Sequence, residues 1–568
     1  MKTIKRKTEE RNKLLIIGLD GATPSLINRW IDELPHFKEI KKNGIFGSLR
    51  STIPPFSCPA WNCFMTGKNP GKIGIFDFQV GLSQFDVTSY PLIVNLTYQD
   101  SLTFWDILSK ASLKVGIINV PLTYPPTEIN GFMVSGFLTP PYALDYTYPE
   151  WLREEIENFI PDYEPTEFVE MTSPELMKRG EEGFLEENLR CIENTFRITD
   201  YLIQNKEWDV FVAVFTPLDR LSHYFWHHMD KEHPKYNSGK AKKYGNVLKE
   251  FYKKLDEIIG ELQKRLDEKT NIIVMSDHGF GPAYGYFYLN NFLREMGFLE
   301  VKKPGIIEVI FGSLFKGGKK LLKTAAKLGL LELPFLKEAI LGEKSWIRRI
   351  APKNIKLEHP YMRSRSFLDV DWHKTRAYAF GNNKIFVNLE GRESKGIIKE
   401  GKEYEDLVKE LKDDLYMVKN PLTGKPIFTK IYKKNEIYKG GYTKVAPDLI
   451  VMGEEISFKM GTGKGEIFEF PGLQSGDHRL EGLIMMRGPD IKKGKKISAE
   501  IIDIAPTILY MNNVAIPTDI DGKVLKEALN IEYKIEYQKP IPKEKELLEY
   551  SEEESKELQK RLKGLGYM

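Results

Sequence analysis

"NIIVMSDHGFG", residues 271–281, runs an apolar segment straight into an adjacent carboxylate and imidazole, Asp277 and His278, then closes on a Gly-Phe-Gly turn. A short apolar run bounded by turn residues reads as a buried strand. The ionisable pair at its end has two readings, because such residues also cap helices and close turns. The rest of the chain has to decide between a turn and a site.

Runs of the same kind recur: "KLLIIGLD" (13–20), "KVGIINVP" (114–121), "WDVFVAVFTPLD" (208–219), "PDLIVMG" (447–453) and "LEGLIMMRGP" (480–489). Helix-length amphipathic stretches lie between most of them, such as 245–267 with its charged face. This alternation predicts an α/β fold with a mostly parallel sheet sandwiched by helices. Asp20, Asp219 and Asp277 each follow an apolar run, and the carboxyl edge of a parallel sheet is where loops converge to build sites. Three carboxylates distant in sequence are therefore expected to meet.

With 568 residues the chain exceeds a single compact core. It divides into a first part of a catalytic core at 12–298, an inserted amphipathic cap at 299–360, a second part of the core at 361–530 and a charged helix at 531–568. In that last segment Leu547, Leu548, Leu558, Leu562 and Leu565 suggest a stripe on a solvated helix. Lys+Arg 83 against Asp+Glu 80 gives a net charge of only +3, so no nucleic-acid-binding surface is expected. Cys58, Cys63 and Cys191 are too few for a disulfide framework and fit a reducing cytoplasm. The charged amino terminus leads into an apolar run too brief for an export signal, and no run approaches the roughly 18 apolar residues of a bilayer span. Residues 302–327 carry seven lysines and one glutamate. That segment reads either as a plain helical cap or as a peripheral contact with an anionic inner membrane surface.

Three more stretches carry chemistry: "IPPFSCPAWNCFMTGKNPG" (53–71), "TPLDRLSHYFWHH" (216–228) and "SGDHRLEG" (475–482). Asp219 and His223, four apart, project from one helix face and suit joint ligation of an ion. His478, in a Gly-Asp-His-Arg turn, can complete the set. His227 and His228 lie off that face and read as packing residues.

In their order these motifs resemble the alkaline phosphatase superfamily, and within it the type I phosphodiesterase/nucleotide pyrophosphatase branch. The pattern is Asp20 at a first strand end, Ser57 two residues before a Pro and nine before "TG", D-x-x-x-H, S-D-H-G and a late G-x-H. "DIAPTILYMNNVAIPTDIDGKVL" (503–525) is similar to the family's closing strand-helix segment. The resemblance spans most of 12–290 and 360–530. It implies one metal held by Asp20, Ser57, Asp277 and His278, and a second held by Asp219, His223 and His478. Mixed carboxylate and imidazole ligands favour zinc first and manganese second. The implied reaction is two-metal hydrolysis of a small-molecule phosphoester, a diester or nucleotide pyrophosphate, through a phosphoryl-Ser57 intermediate.

Further residues are expected near substrate. Asn95 is similar in spacing to a phosphate-contacting Asn of the nucleotide pyrophosphatases. Asn388 and Arg392 in "GNNKIFVNLEGRESKG" (381–396) either touch phosphate or make a structural link. Phe56 and Trp61 suggest an apolar wall for a base, an aryl group or a lipid chain, and Asp477 suggests a partner for the His478 ring. The branch usually has threonine where Ser57 stands, and histidine where Ile73 stands. Trp61 replaces the arginine of the sulfatase motif, which argues against sulfate esters. A phosphomonoesterase, a phosphoglycerate-mutase-like phosphotransferase and a membrane-surface lipid head-group phosphotransferase remain the alternatives.

Overall fold

The computed structural model describes residues 11–79, 92–161, 163–165, 173–302, 369–461, 465–544 and 547–565. Most of the expected cap at 299–360 and of the basic segment 302–327 lies outside the described residues. Among those residues, no helix is long and apolar enough to cross a membrane.

A nine-stranded sheet organises the chain. Across it the strands run Lys495–Glu500, Ile45–Arg50, Glu481–Arg487, Thr270–Met275, Lys13–Leu19, Val210–Phe215, Val115–Ile118, Gly131–Val134 and Thr147–Tyr148. Its centre is parallel: Lys13–Leu19 pairs in parallel with both Val210–Phe215 and Thr270–Met275, and Val115–Ile118 continues the same sense. Val210–Phe215 and Thr270–Met275 are buried at every position, as a strand covered on both faces must be. Their unbroken apolar runs are the sequence expression of that burial.

The two faces take alternate residues. Leu14 and Ile16 join one apolar layer, where Trp61, Phe64, Phe104 and Ile508 pack from the helices Ser57–Thr66, Phe104–Lys110 and Ile504–Met511. Leu15 and Ile17 join the other, with Phe37, Phe184, Phe225 and Leu255 from the helices Pro35–Asn43, Pro174–Asn205, Pro217–Met229 and Val247–Lys264. The expected sandwich is thus an alternation along each strand.

Two segments differ from the expected arrangement. Glu481–Arg487 is a strand of the large sheet, but it runs antiparallel to both Thr270–Met275 and Ile45–Arg50. "PDLIVMG" forms the strand Leu449–Met452 in a separate antiparallel sheet with Ala377–Ala379, Lys384–Val387 and Lys430–Lys433. That sheet shares its apolar cluster with the helix Lys402–Tyr416. An apolar run announces burial without naming its hydrogen-bonding partner.

Asn388 and Arg392 stabilise this second sheet. Asn388 Nδ2 donates to the carbonyls of Trp372, Thr375 and Lys395 at 3.0, 2.9 and 3.1 Å. Arg392 makes a bidentate pair with buried Asp448 at 3.0 and 2.7 Å and also bonds Glu393. Asp448 further accepts from Lys434, Tyr404 and the Val387 amide. Of the two readings for these residues, the structural link is the one observed.

The carboxyl-terminal segment is helical only over Glu552–Gly564. Leu558 and Leu562 are fully buried and Leu565 is nearly so, whereas Leu547 and Leu548 precede the helix and are exposed. The leucines therefore make no single stripe on a solvated helix, and those within the helix pack into the core.

Burial pushes the Asp448 carboxyl up, but Arg392 and Lys434 outweigh it and hold the group below its ordinary range. A lowered folded-state pKa means stability present above the unfolded value and lost as pH falls through the folded one. Asp448→Asn is expected to cost about 3–5 kcal/mol at neutral pH by leaving buried cations unpaired. The gap to the native chain should narrow below about pH 4, where carboxylates of the unfolded chain protonate. Thermal melts of both proteins across that range check the magnitude and the sign.

Candidate metal centre

The parallel strands deliver three carboxylates to one edge. Leu19 lies opposite Phe215, and Gly18 lies opposite Met275. Asp20, Asp219 and Asp277 follow those strand ends within a few residues, and the Asp20 amide donates to the Phe215 carbonyl at 3.0 Å. Ser57 opens the ten-residue helix Ser57–Thr66, whose first-turn N–H groups give its hydroxyl a positive setting. His478 arrives on the strand Gly476–Arg479, which pairs antiparallel with Gly279–Pro282 and sets His478 opposite Phe280. Sequence read this stretch as a turn; the ribbon it forms with Gly-Phe-Gly is what brings His478 in.

All seven predicted residues converge, each at most 7% exposed. His278 Nε2 stands 3.1 Å from Ser57 Oγ, 3.5 Å from Asp20 Oδ1 and 3.3 Å from Asp277 Oδ2. His478 Nε2 stands 3.0 Å from His223 Nε2 and 3.1 Å from Asp219 Oδ1, with His223 Nε2 and Asp219 Oδ1 3.7 Å apart. His278 Nε2 to Asp219 Oδ1, at 3.8 Å, joins the two groups. Donor atoms around one tetrahedral ion with bonds of 2.0–2.2 Å lie about 3.4 Å apart. The separations from His278 Nε2 and those within the His478 group fall around that value, and one ligating atom each of Asp20, Asp219 and His278 also lies within 4.8 Å of the others.

Backbone acceptors set the imidazoles. His223 Nδ1 faces the Gly476 carbonyl at 2.8 Å, and His278 Nδ1 faces the Gly279 carbonyl at 3.2 Å. Protonated there, each ring turns a lone pair at Nε2 toward the cluster.

The electrostatics call for cations. Burial raises Asp20 well above the carboxylate range, and the neighbouring charges of Asp277 and Asp219 add to it. Burial and Asp219 push Asp277 up to about 7. Burial acts on Asp219 in the same sense, but the imidazoles of His223, His478 and His278 prevail and hold it low. Burial and His478 bring His278 down to about 4, keeping it neutral. Among the described residues, Asp20 Oδ1 and Asp277 Oδ2 are buried without a hydrogen-bond donor. Orphaned carboxylate oxygens beside imidazoles are a donor set suited to divalent metal ions.

Several residues hold the set in place. Trp61, wholly buried, donates Nε1–H to Asp20 Oδ2 at 3.1 Å. Its ring lies over Gly18, where a Cβ would come within 2.6 Å of it. Trp61 is thus no wall open to substrate, as the sequence suggested. Phe280 wedges among three imidazoles, with centroids 4.8, 5.2 and 5.8 Å from His223, His478 and His278. Its position after S-D-H-G was the available signal. Phe56 retains a place at the site, its ring 6.0 Å from that of His478 and beneath the Lys384 ammonium at 4.8 Å. Asp477 reaches His478 through the backbone N–H at 2.8 Å.

Asn95 is committed elsewhere. Its Nδ2 donates to the Leu548 carbonyl at 2.7 Å and its Oδ1 accepts from the Thr97 amide at 2.9 Å, which caps the turn Leu96–Tyr98. The expected phosphate contact is therefore replaced by a helix cap. His227 and His228 are buried outside the seven-residue cluster.

A sheet with this Asp, Ser and His pattern at its carboxyl edge defines the alkaline phosphatase superfamily. The chain matches the family model described as type I phosphodiesterase / nucleotide pyrophosphatase over residues 14–474, and it belongs to that family. Among solved structures it is similar to murine ectonucleotide pyrophosphatase/phosphodiesterase 5, at 13% identity and a TM-score of 0.45, covering 91% of this chain and 100% of that one. The human counterpart gives 13% identity, a TM-score of 0.46 and the same coverage. An inactive form of the murine protein in complex with AMP gives 13% identity and a TM-score of 0.44, covering 92% of this chain and 100% of that one. No curated protein matches the chain.

Trp61→Phe removes the donor to Asp20 while keeping an aromatic ring under Gly18. It should weaken divalent-metal binding about 10- to 100-fold, the usual penalty for losing a group that orients a ligand. Isothermal titration of the chelator-stripped protein with zinc measures this.

Proposed function

We propose that this family member is a two-metal phosphoester hydrolase acting on diesters or nucleotide pyrophosphates, with Ser57 as nucleophile. The observation that carries the reading is the meeting of Ser57 Oγ with six buried ligand-type side chains, its nearest partner being His278 Nε2 at 3.1 Å. Asp20, Ser57, Asp277 and His278 would hold one divalent ion; Asp219, His223 and His478 would hold the other. Three imidazoles among the ligands favour zinc over manganese. When bound, the ions supply positive charge that favours the Ser57 alkoxide and the oxygens of the reacting phosphoryl group.

The chain itself does the rest. Gly279 and Gly476 carbonyls fix the ring protons of His278 and His223 at Nδ1, away from the reacting centre. Ser57, held at the start of a buried helix, gives its proton to solvent and attacks phosphorus in line; the bond to the leaving alcohol or phosphate breaks as the Ser57 Oγ–P bond forms. Water then attacks the same phosphorus from the vacated side and the Ser57 Oγ–P bond breaks. Phe56 and Phe280 keep the surroundings apolar, which strengthens every charge interaction there.

Ser57→Ala should abolish turnover of bis(p-nitrophenyl) phosphate and of a dinucleotide while leaving metal content and thermal stability intact. Retained activity would mean that another group attacks. Parallel rates on p-nitrophenyl phosphate separate a diesterase from a monoesterase.

A further inference from the structure

The helix Pro217–Met229 carries more imidazoles than the seven-residue cluster uses. One turn beyond His223, His227 and His228 are 6% and 1% exposed, with ring centroids 3.8 Å apart. Glu181, from the helix Pro174–Asn205, faces them, and one ligating atom from each of the three lies within 4.8 Å of the others.

His227 is set by its neighbour, and His228, which donates Nε2–H to Glu181, shifts its ring proton to Nδ1 when an ion takes Nε2. Ser475 Oγ donates to the His223 carbonyl at 3.2 Å and so accepts from His227 Nδ1 at 3.0 Å. With its proton at Nδ1, the neutral His227 ring presents a lone pair at Nε2. His228 Nε2 lies 3.2 Å from Glu181 Oε1, and its Nδ1 is buried without a partner among the described residues. Burial lowers the pKa of both rings, with His227 brought down to about 3. Glu181 follows a break in its helix at Gly180, where φ is +65° and ψ −156°. Only glycine adopts that conformation without strain, and no atom crowds the position, so the backbone turn is what selects glycine there.

We propose that Glu181, His227 and His228 form a separate divalent-cation site, taking a borderline transition-metal ion such as Zn²⁺ or Co²⁺ through two imidazoles and one carboxylate. The His228–Glu181 separation of 3.2 Å already suits tetrahedral donors, which stand about 3.4 Å apart. The remaining donor needs to close in by no more than about 1.4 Å. Lys240 Nζ holds both Glu181 oxygens, at 3.0 and 2.9 Å. Its side chain is 56% exposed, so an arriving ion releases it to water at the small cost of a surface ion pair. A bound ion would tie the helix Pro174–Asn205 to the one carrying Asp219 and His223.

The test is a zinc count on the full-length, chelator-stripped protein by elemental analysis after gel filtration, with Co²⁺ absorption as a second readout. The native chain should hold three equivalents. His227→Asn/His228→Asn and Glu181→Gln should each hold two, lose the Co²⁺ band of this site and keep diesterase activity within about twofold, since neither touches the reacting atoms. Melting curves of the isosteric Glu181→Gln variant confirm that it folds. Two equivalents in the native chain, unchanged in both variants, would overturn this site and leave the catalytic pair intact. A native chain holding one equivalent, lost in these variants, would uphold this site and sink the catalytic pair.

Discussion

Three carboxylates share one buried pocket, and that electrostatic demand organises the molecule. Two unit charges about 4 Å apart repel by about 4 kcal/mol at the effective dielectric of a protein site. Asp20, Asp219 and Asp277 are carried into that conflict by parallel strands buried on both faces. The strands cannot yield, because two apolar layers grip them. Relief comes from chemistry brought to the pocket: the imidazoles of His223, His278 and His478, and the ions these residues are suited to hold. A rigid sheet and a strained cluster of charge thus explain each other.

Much of this was legible in the residues. The apolar runs gave the strands because a fully buried strand has no polar face to conceal it. Asp20, Asp219 and Asp277 stood out because each follows an apolar strand run, whereas Ser57, His223, His278 and His478 were expected from the ordered motifs of the family resemblance. What escaped reading was non-local. Nothing in "PDLIVMG" says that Leu449–Met452 pairs with Lys430–Lys433 rather than with the large sheet. Asn95 carries the same amide whether it meets phosphate or the Leu548 carbonyl, and its partner lies 453 residues away. Arg392 likewise meets Asp448, 56 residues on, in a pairing that spacing does not disclose.

Trp61 shows how one side chain can serve packing and chemistry together. Its ring fills the space that Gly18 leaves open on the central strand, and its indole N–H steadies Asp20 at the end of that strand. A buried indole needs both room for its ring and an acceptor for its N–H, so it marks a place where geometry is tightly set. Phe280 does the complementary work without a polar atom, filling the gap among three imidazoles so that none can rotate away.

The strand Ile45–Arg50 has consequences for how the molecule is made. Among the described residues it pairs with Glu481–Arg487 and Lys495–Glu500 alone, and Ser48 meets Ser498 across 450 residues of chain. During synthesis this strand, with the nucleophile loop just behind it, must wait unpaired until residues 481–500 have been translated. Such long-range closure is slow and leaves an exposed strand edge. This side of the sheet therefore closes only after residues 481–500 have emerged, and until then the orphan edge needs shelter from other polypeptides.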